Sequence, residues 1–165
     1  MRTNLIWAGV VILTALLEAQ WPYVLRVQGV VPQLVLILVV FFAIVDGEER
    51  AMFTGVIGGL FQEVATDDAL GHRVLCLVVI AYITGTMARR LVTENPAVKA
   101  SAVFVASAAH GILYLTIDYL QRPGVVNVSG QLITLLPQAF YTALVTPVVF
   151  MLLSVSPMPQ HRRAA

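Results

Sequence analysis

Two ionisable residues, Glu63 and His110, lie inside long apolar runs, and their types and places could do chemistry. In a segment that crosses a bilayer such a group is costly, so it is a functional candidate by default: a proton relay, a ligand contact or a partner contact. Glu63 ends a distinctive stripe. Ala51, Gly55, Gly59 and Glu63 follow one another at steps of four, with Gly58 beside them. On a helix, steps of four stay near one face, drifting about 40° each time. One face is therefore nearly bare backbone with a carboxylate at its end. In lipid, small residues let a second helix approach closely, and association depends on that packing. The stripe reads as a partner-binding seam, with a hydrated headgroup-level carboxylate as the plain alternative for Glu63. His110 reads as a possible intramembrane polar site, against the plain alternative of a histidine hydrogen-bonded to a neighbouring helix.

Other constellations carry less. Asp67, Asp68 and His72 offer three metal-ligand types in one loop, with no fourth supplied. They read as a helix cap and a hydrated loop, so no metal is expected. The chain has no nucleophile–base pair, phosphate-binding loop or dinucleotide fingerprint, and neither an enzyme nor a cofactor is expected. Cys76 is the single cysteine, which excludes an intrachain disulfide and a cysteine metal cluster.

These residues must be positioned by apolar segments. The 165 residues are 59% hydrophobic and 12% charged, with a mean hydropathy of +0.86. Soluble chains average about 45–50% apolar and about 25% charged. Several runs approach the ~20 apolar residues that cross a bilayer, and none shows the alternation of a membrane barrel. The expectation is an all-α, polytopic membrane protein forming a single transmembrane domain over 1–165. A net charge of +1 argues against a nucleic-acid partner.

Six segments are expected, at about 4–24, 31–45, 51–65, 70–87, 97–120 and 131–155. Leu5–Leu17 could be a signal-peptide core, but Leu17-Glu18-Ala19 is a poor cleavage site, so the segment is read as retained. Trp21 and Tyr23 fit an interface belt. Pro32 is placed in the first turn of segment two. Segment three spans about 22 Å, short of a 30 Å core. Asp67 or Asp68 is the expected cap of segment four, and Pro137 and Pro147 are expected kinks in segment six. With six crossings and a cytoplasmic start, Arg2, Arg50, Arg89, Arg90, Lys99, Arg162 and Arg163 lie inside, against Arg26, Arg73 and Arg122 outside. That bias follows the positive-inside rule and puts both termini in the cytoplasm.

Four stretches carry a resemblance. Pro32-Gln33-Leu34-Val35-Leu36 opens segment two, and Gly55-x-x-Gly58-Gly59-Leu60-x-x-Glu63 fills segment three. Leu70-Gly71 opens segment four, and Leu136-Pro137-Gln138-Ala139-Phe140-Tyr141 lies in segment six. Together, over about Pro32 to Leu153, the chain resembles the MreD family of rod shape-determining membrane proteins, departing from the family's usual Asp at Glu63. The resemblance implies a six-helix fold similar to the substrate-binding subunits of energy-coupling-factor transporters. It also implies a non-enzymatic scaffold of the cell-elongation complex that docks MreC and supports peptidoglycan synthesis. Further partners through that complex are MreB, RodA and its penicillin-binding transpeptidase, with membrane lipids around the bundle. The alternative is a small-molecule-binding membrane subunit of a transporter, which needs convergent polar groups in a cavity.

Overall fold

The computed structural model describes residues 2–22, 26, 29–66, 71–88, 95–121 and 128–155. They form six α-helices: α1 (Arg2–Ala19), α2 (Leu34–Val45), α3 (Glu48–Thr66), α4 (His72–Ala88), α5 (Pro96–Gln121) and α6 (Val128–Val155). The expected cap residues Asp67 and Asp68 lie outside the described residues, as do Leu70, Arg89, Arg90, Arg122, Arg162 and Arg163.

Helix ends follow local chemistry. α1 stops at Ala19, earlier than expected, because Pro22 follows and the residue before a proline is pushed out of the helical region. α2 starts at Leu34, so Pro32 stands outside the first turn; the Leu34 N–H bonds the Pro32 carbonyl at 3.1 Å. It ends on Gly47, whose φ of 97° is cheap only for glycine. The N–H groups of Asp46 and Gly47 both return to the Phe42 carbonyl at 2.9 Å, which satisfies the end of the helix. α3 begins at Glu48 rather than at 51. Glu48 and Glu49 fall in its first turn, where the helix dipole favours acids. With 19 residues α3 is about 28 Å long, which removes the expected shortfall.

The centre of the bundle is α2. Val35 to Val40 are each at most 1% exposed, and the buried run extends from Leu34 to Ala43. A helix that is apolar all round belongs in a core. Segment two is therefore the hub of the fold rather than a lipid-facing wall. Around it pack Ala15 of α1, Ala51 of α3, Leu77, Ile80 and Ala81 of α4, and Val103 and Ala106 of α5. Phe41 and Phe42 extend the core toward Trp7 and Phe150 through edge-on ring contacts.

Among the described residues, α5 and α6 are the two helices long and apolar enough to cross a membrane. α6 shows Ile133, Phe140, Leu144 and Met151 at 70–75% exposure. It runs as one helix through Pro137 and Pro147.

Candidate functional site

Glu63 is 1% exposed, so it is a core residue and not a hydrated headgroup-level one. Its carboxylate reaches across the α3–α4 connection to the first turn of α4. Oε2 accepts the Gly71 N–H at 2.7 Å, and Oε1 accepts the N–H groups of Arg73 and Val74, the latter at 3.2 Å. The first N–H groups of a helix have no partner within the helix. Here a side chain from the preceding helix supplies one, and its charge also complements the positive end of the helix dipole. Gly71, at φ 97°, makes the turn that presents these donors.

The small-residue stripe explains how α4 comes so close. A Cβ built on Gly59 would lie 2.9 Å from the Val74 Cα, and one on Gly55 would lie 3.2 Å from the Leu77 carbonyl carbon. A Cβ on Gly58 would overlap the Val35 side chain of α2. Ala51 has no exposed surface. The helices touch along their length, since a Cβ on Gly85 of α4 would fall 2.7 Å from the Cα of Glu48. The stripe read as a partner-binding seam thus faces this chain's own α4 and α2.

A second carboxylate repeats the arrangement. Glu18, near the end of α1, accepts the Val35 N–H at the start of α2 through Oε2 at 2.8 Å. Beside it, Gln33 ties three helices together. Its backbone N–H donates to Thr142 Oγ1 on α6 at 3.1 Å. Its Oε1 accepts from Ser107 Oγ on α5 at 2.9 Å, and its Nε2 lies 3.3 Å from His110 Nδ1. With Oε1 holding the Ser107 proton, the amide nitrogen is the donor to His110. Gln138 Nε2 returns to the Val31 carbonyl at 3.3 Å. His110 is therefore bonded at Nδ1 by Gln33, the residue before α2. His72 opens α4 instead of lying in a loop; it stacks on Tyr114 with ring centroids 4.2 Å apart. Among the described residues no three His, Cys, Asp or Glu side chains converge as a metal site.

Glu18, Gln33, His110 and Gln138 border a cavity of about 230 Å³. Glu18, Gln33, Gln62, Arg73, His110 and Tyr114 line it from α1 to α5. Gln131, Thr134 and Gln138 close it from α6.

A family model for the rod shape-determining protein MreD matches residues 1–155. The chain belongs to the MreD family. No curated protein and no solved structure matches it. Membership gives it a role in rod shape determination within a family of membrane proteins, and its two long apolar helices fit insertion into a bilayer.

In this MreD-family chain, sequence stretches far apart meet at the site. Gln33 is bonded by Thr142 and the Val31 carbonyl before it by Gln138, and the glycine stretch holds α4 through Glu63. Sequence reasoning missed Glu18, Gln33, Arg73 and Gly85 as site residues. One signal was available: the rule that singled out Glu63, an ionisable group inside an apolar run, applies equally to Glu18.

Proposed function

We infer that this chain is a non-enzymatic integral membrane scaffold of the rod complex, which docks MreC and through it supports peptidoglycan synthesis. The observation that carries this reading is the outer apolar surface of α5 and α6, wrapped around a core already closed by α2. Such a surface suits lipid and partner helices. Gly55 and Gly59 are occupied by α4 and Gly58 by α2, so Ala51, Gly55, Gly58, Gly59 and Glu63 serve a partner indirectly, by holding α3 in its place between those helices. MreC docks on the outside, in the apolar groove of about 330 Å³ between α4 and α5. Ser101, Ala102 and Ala109 keep that groove shallow-walled, and Ile80 and Ile83 face them. Small residues of this kind allow close helix approach in lipid. MreB, RodA and its transpeptidase join through the complex, and both termini lie in the cytoplasm.

The test is co-purification from native membranes. MreC and wall-synthesis proteins are expected with the wild type, and Ala102→Leu is expected to lower MreC recovery at unchanged thermal stability. Recovery of MreC unaffected by Ala102→Leu refutes the groove. Absence of all wall-synthesis proteins refutes the scaffold. A second reading, a membrane subunit of energy-coupling-factor type, is favoured by the polar cavity; an ATPase module in the same eluate would support it.

A further inference from the structure

The cavity among the six helices is lined by amides more than by charges. Gln33, Gln62, Gln131 and Gln138 all border it. Its charged groups answer each other: Glu18 accepts the Val35 N–H and a hydrogen bond from the Gln62 side chain, and Arg73 lies within its electrostatic reach. His110 gives the cavity no donor, since its Nδ1 is bonded by Gln33 and its Nε2 has no accessible surface. The open hydrogen-bonding capacity is on α6. Gln131, Thr134 and Gln138 follow at steps of three and four, which puts them on one helix face, and all three line the cavity. Ile133, Leu136 and Phe140 take the opposite, exposed face. Leu135 fixes this rotation by packing where Gly111 of α5 has no side chain. The Gln138 amide nitrogen donates to the Val31 carbonyl, and the Thr134 hydroxyl donates to the Gln131 backbone carbonyl. Among the described residues no hydrogen bond takes the Gln138 side-chain oxygen or the Gln131 side-chain amide.

Polar side chains that a membrane helix turns inward mark a ligand path or a water-filled cavity. A glutamine amide carries a donor and an acceptor side by side and no charge. It matches a group that also donates and accepts, such as a hydroxyl, and it gives an entering ion no opposite charge in return for the water left behind. We propose that this cavity binds an uncharged, hydroxyl-bearing ring of monosaccharide size, held by Gln131 and Gln138 of α6. The space suffices: the cavity measures about 230 Å³, and an apolar cavity of about 150 Å³ already holds a benzene ring. Thr134 is exposed and Gln131 partly so, which opens the cavity beside the first turns of α6. Two sources present this chemistry, a free sugar and the sugar headgroup of a glycolipid entering from the bilayer. The proposal does not rest on the docking of MreC.

The full-length protein is tested with two probes. In a detergent without a sugar headgroup it is titrated with glucose, and with the charged analogues glucuronate and glucosamine at equal ionic strength, reading the melting temperature. In parallel, phosphatidylcholine nanodiscs carrying monoglucosyl diacylglycerol or phosphatidylglycerol are used, and native mass spectrometry reads the lipid that stays bound. A saturable shift with glucose, weaker with both charged analogues, identifies a free sugar; selective retention of the glucolipid identifies a headgroup. Either supports the proposal. Gln131→Leu is expected to weaken the bound probe about 2- to 12-fold, the range for losing one neutral hydrogen bond. Ile133→Ala, on the outer face of the same helix, is expected to leave binding unchanged. Gln138→Leu also removes the bond to the Val31 carbonyl, so if it does not purify folded, Gln131→Leu decides alone. A charged analogue that binds as tightly as glucose, or wild-type binding in the folded Gln131→Leu protein, overturns the proposal. No saturable response to either probe overturns it too and leaves the cavity filled by water only.

Discussion

Replacing Glu63 by Gln tests whether a buried carboxylate holds α4 to α3. The change keeps shape and removes one acceptor oxygen and the charge. In the native protein Oε2 takes the Gly71 N–H, and Oε1 takes those of Arg73 and Val74. A glutamine oxygen can keep one of these two sides. On the other side its amide N–H groups face a backbone N–H, donor against donor. Losing one charge-assisted hydrogen bond costs about 1.5–3 kcal/mol. The charge at the helix N-terminus adds about 0.3–1 kcal/mol. The total, roughly 2–4 kcal/mol, corresponds to a fall in melting temperature of roughly 4–16 °C for a chain of this size. The assay is thermal unfolding of the purified protein in detergent. Glu63→Asp, which keeps the charge and shortens the reach by one methylene, is expected to lose less than Gln. A Gln variant that melts within 2 °C of the wild type refutes the capping role. An Asp variant as unstable as Gln would show that reach, and not charge, sets the contact.

Gly59→Leu places its Cβ 2.9 Å from the Val74 backbone, so α3 and α4 must part. It is expected to cost about 1–3 kcal/mol of stability whether or not a partner is present, checked by the same melt. Gln33→Leu leaves the Ser107 hydroxyl and the His110 ring without their shared partner, at about 1–3 kcal/mol for each stranded group. Hydrogen exchange should then show faster opening where α2 meets α5. Alkaline phosphatase fused after Ala165 is expected to be inactive, and periplasmic activity would overturn the proposed orientation.

The six helices were legible because their apolar runs are long and their breaks carry glycine, proline and charge. The closeness of α3 to a neighbour was legible too, since bare backbone at every fourth residue has few other uses. What the sequence did not reveal is which neighbour. Small residues attract any helix in lipid, and the complementary Gly85 looks like an isolated glycine until α4 is laid against Glu48. The central place of α2 was hidden for a related reason. A helix that is apolar all round suits lipid and protein core equally, and only the packing of Val35 to Val40 decides between them. Gln33 was hidden because a polar residue at a segment edge reads as solvated, whereas here it bonds α5 and sits under α6.

The two buried glutamates share one physical cause. Gln33 and Gly71 are the residues just before α2 and α4, and Val35 and Arg73 are the second residues of those helices. The Val35 N–H is taken by Glu18, and the Gly71 and Arg73 N–H groups by Glu63, each a glutamate from near the end of the preceding helix. In water the first turn of a helix can be left to solvent. Inside an apolar bundle an unsatisfied N–H costs several kcal/mol, so a partner must come from the protein. A carboxylate suits the place because it accepts several N–H groups at once and its charge is favoured at that end of the dipole. An acid inside an apolar run is therefore not by itself a sign of transport or catalysis in this chain. Both acids close helical hairpins, α1 with α2 and α3 with α4.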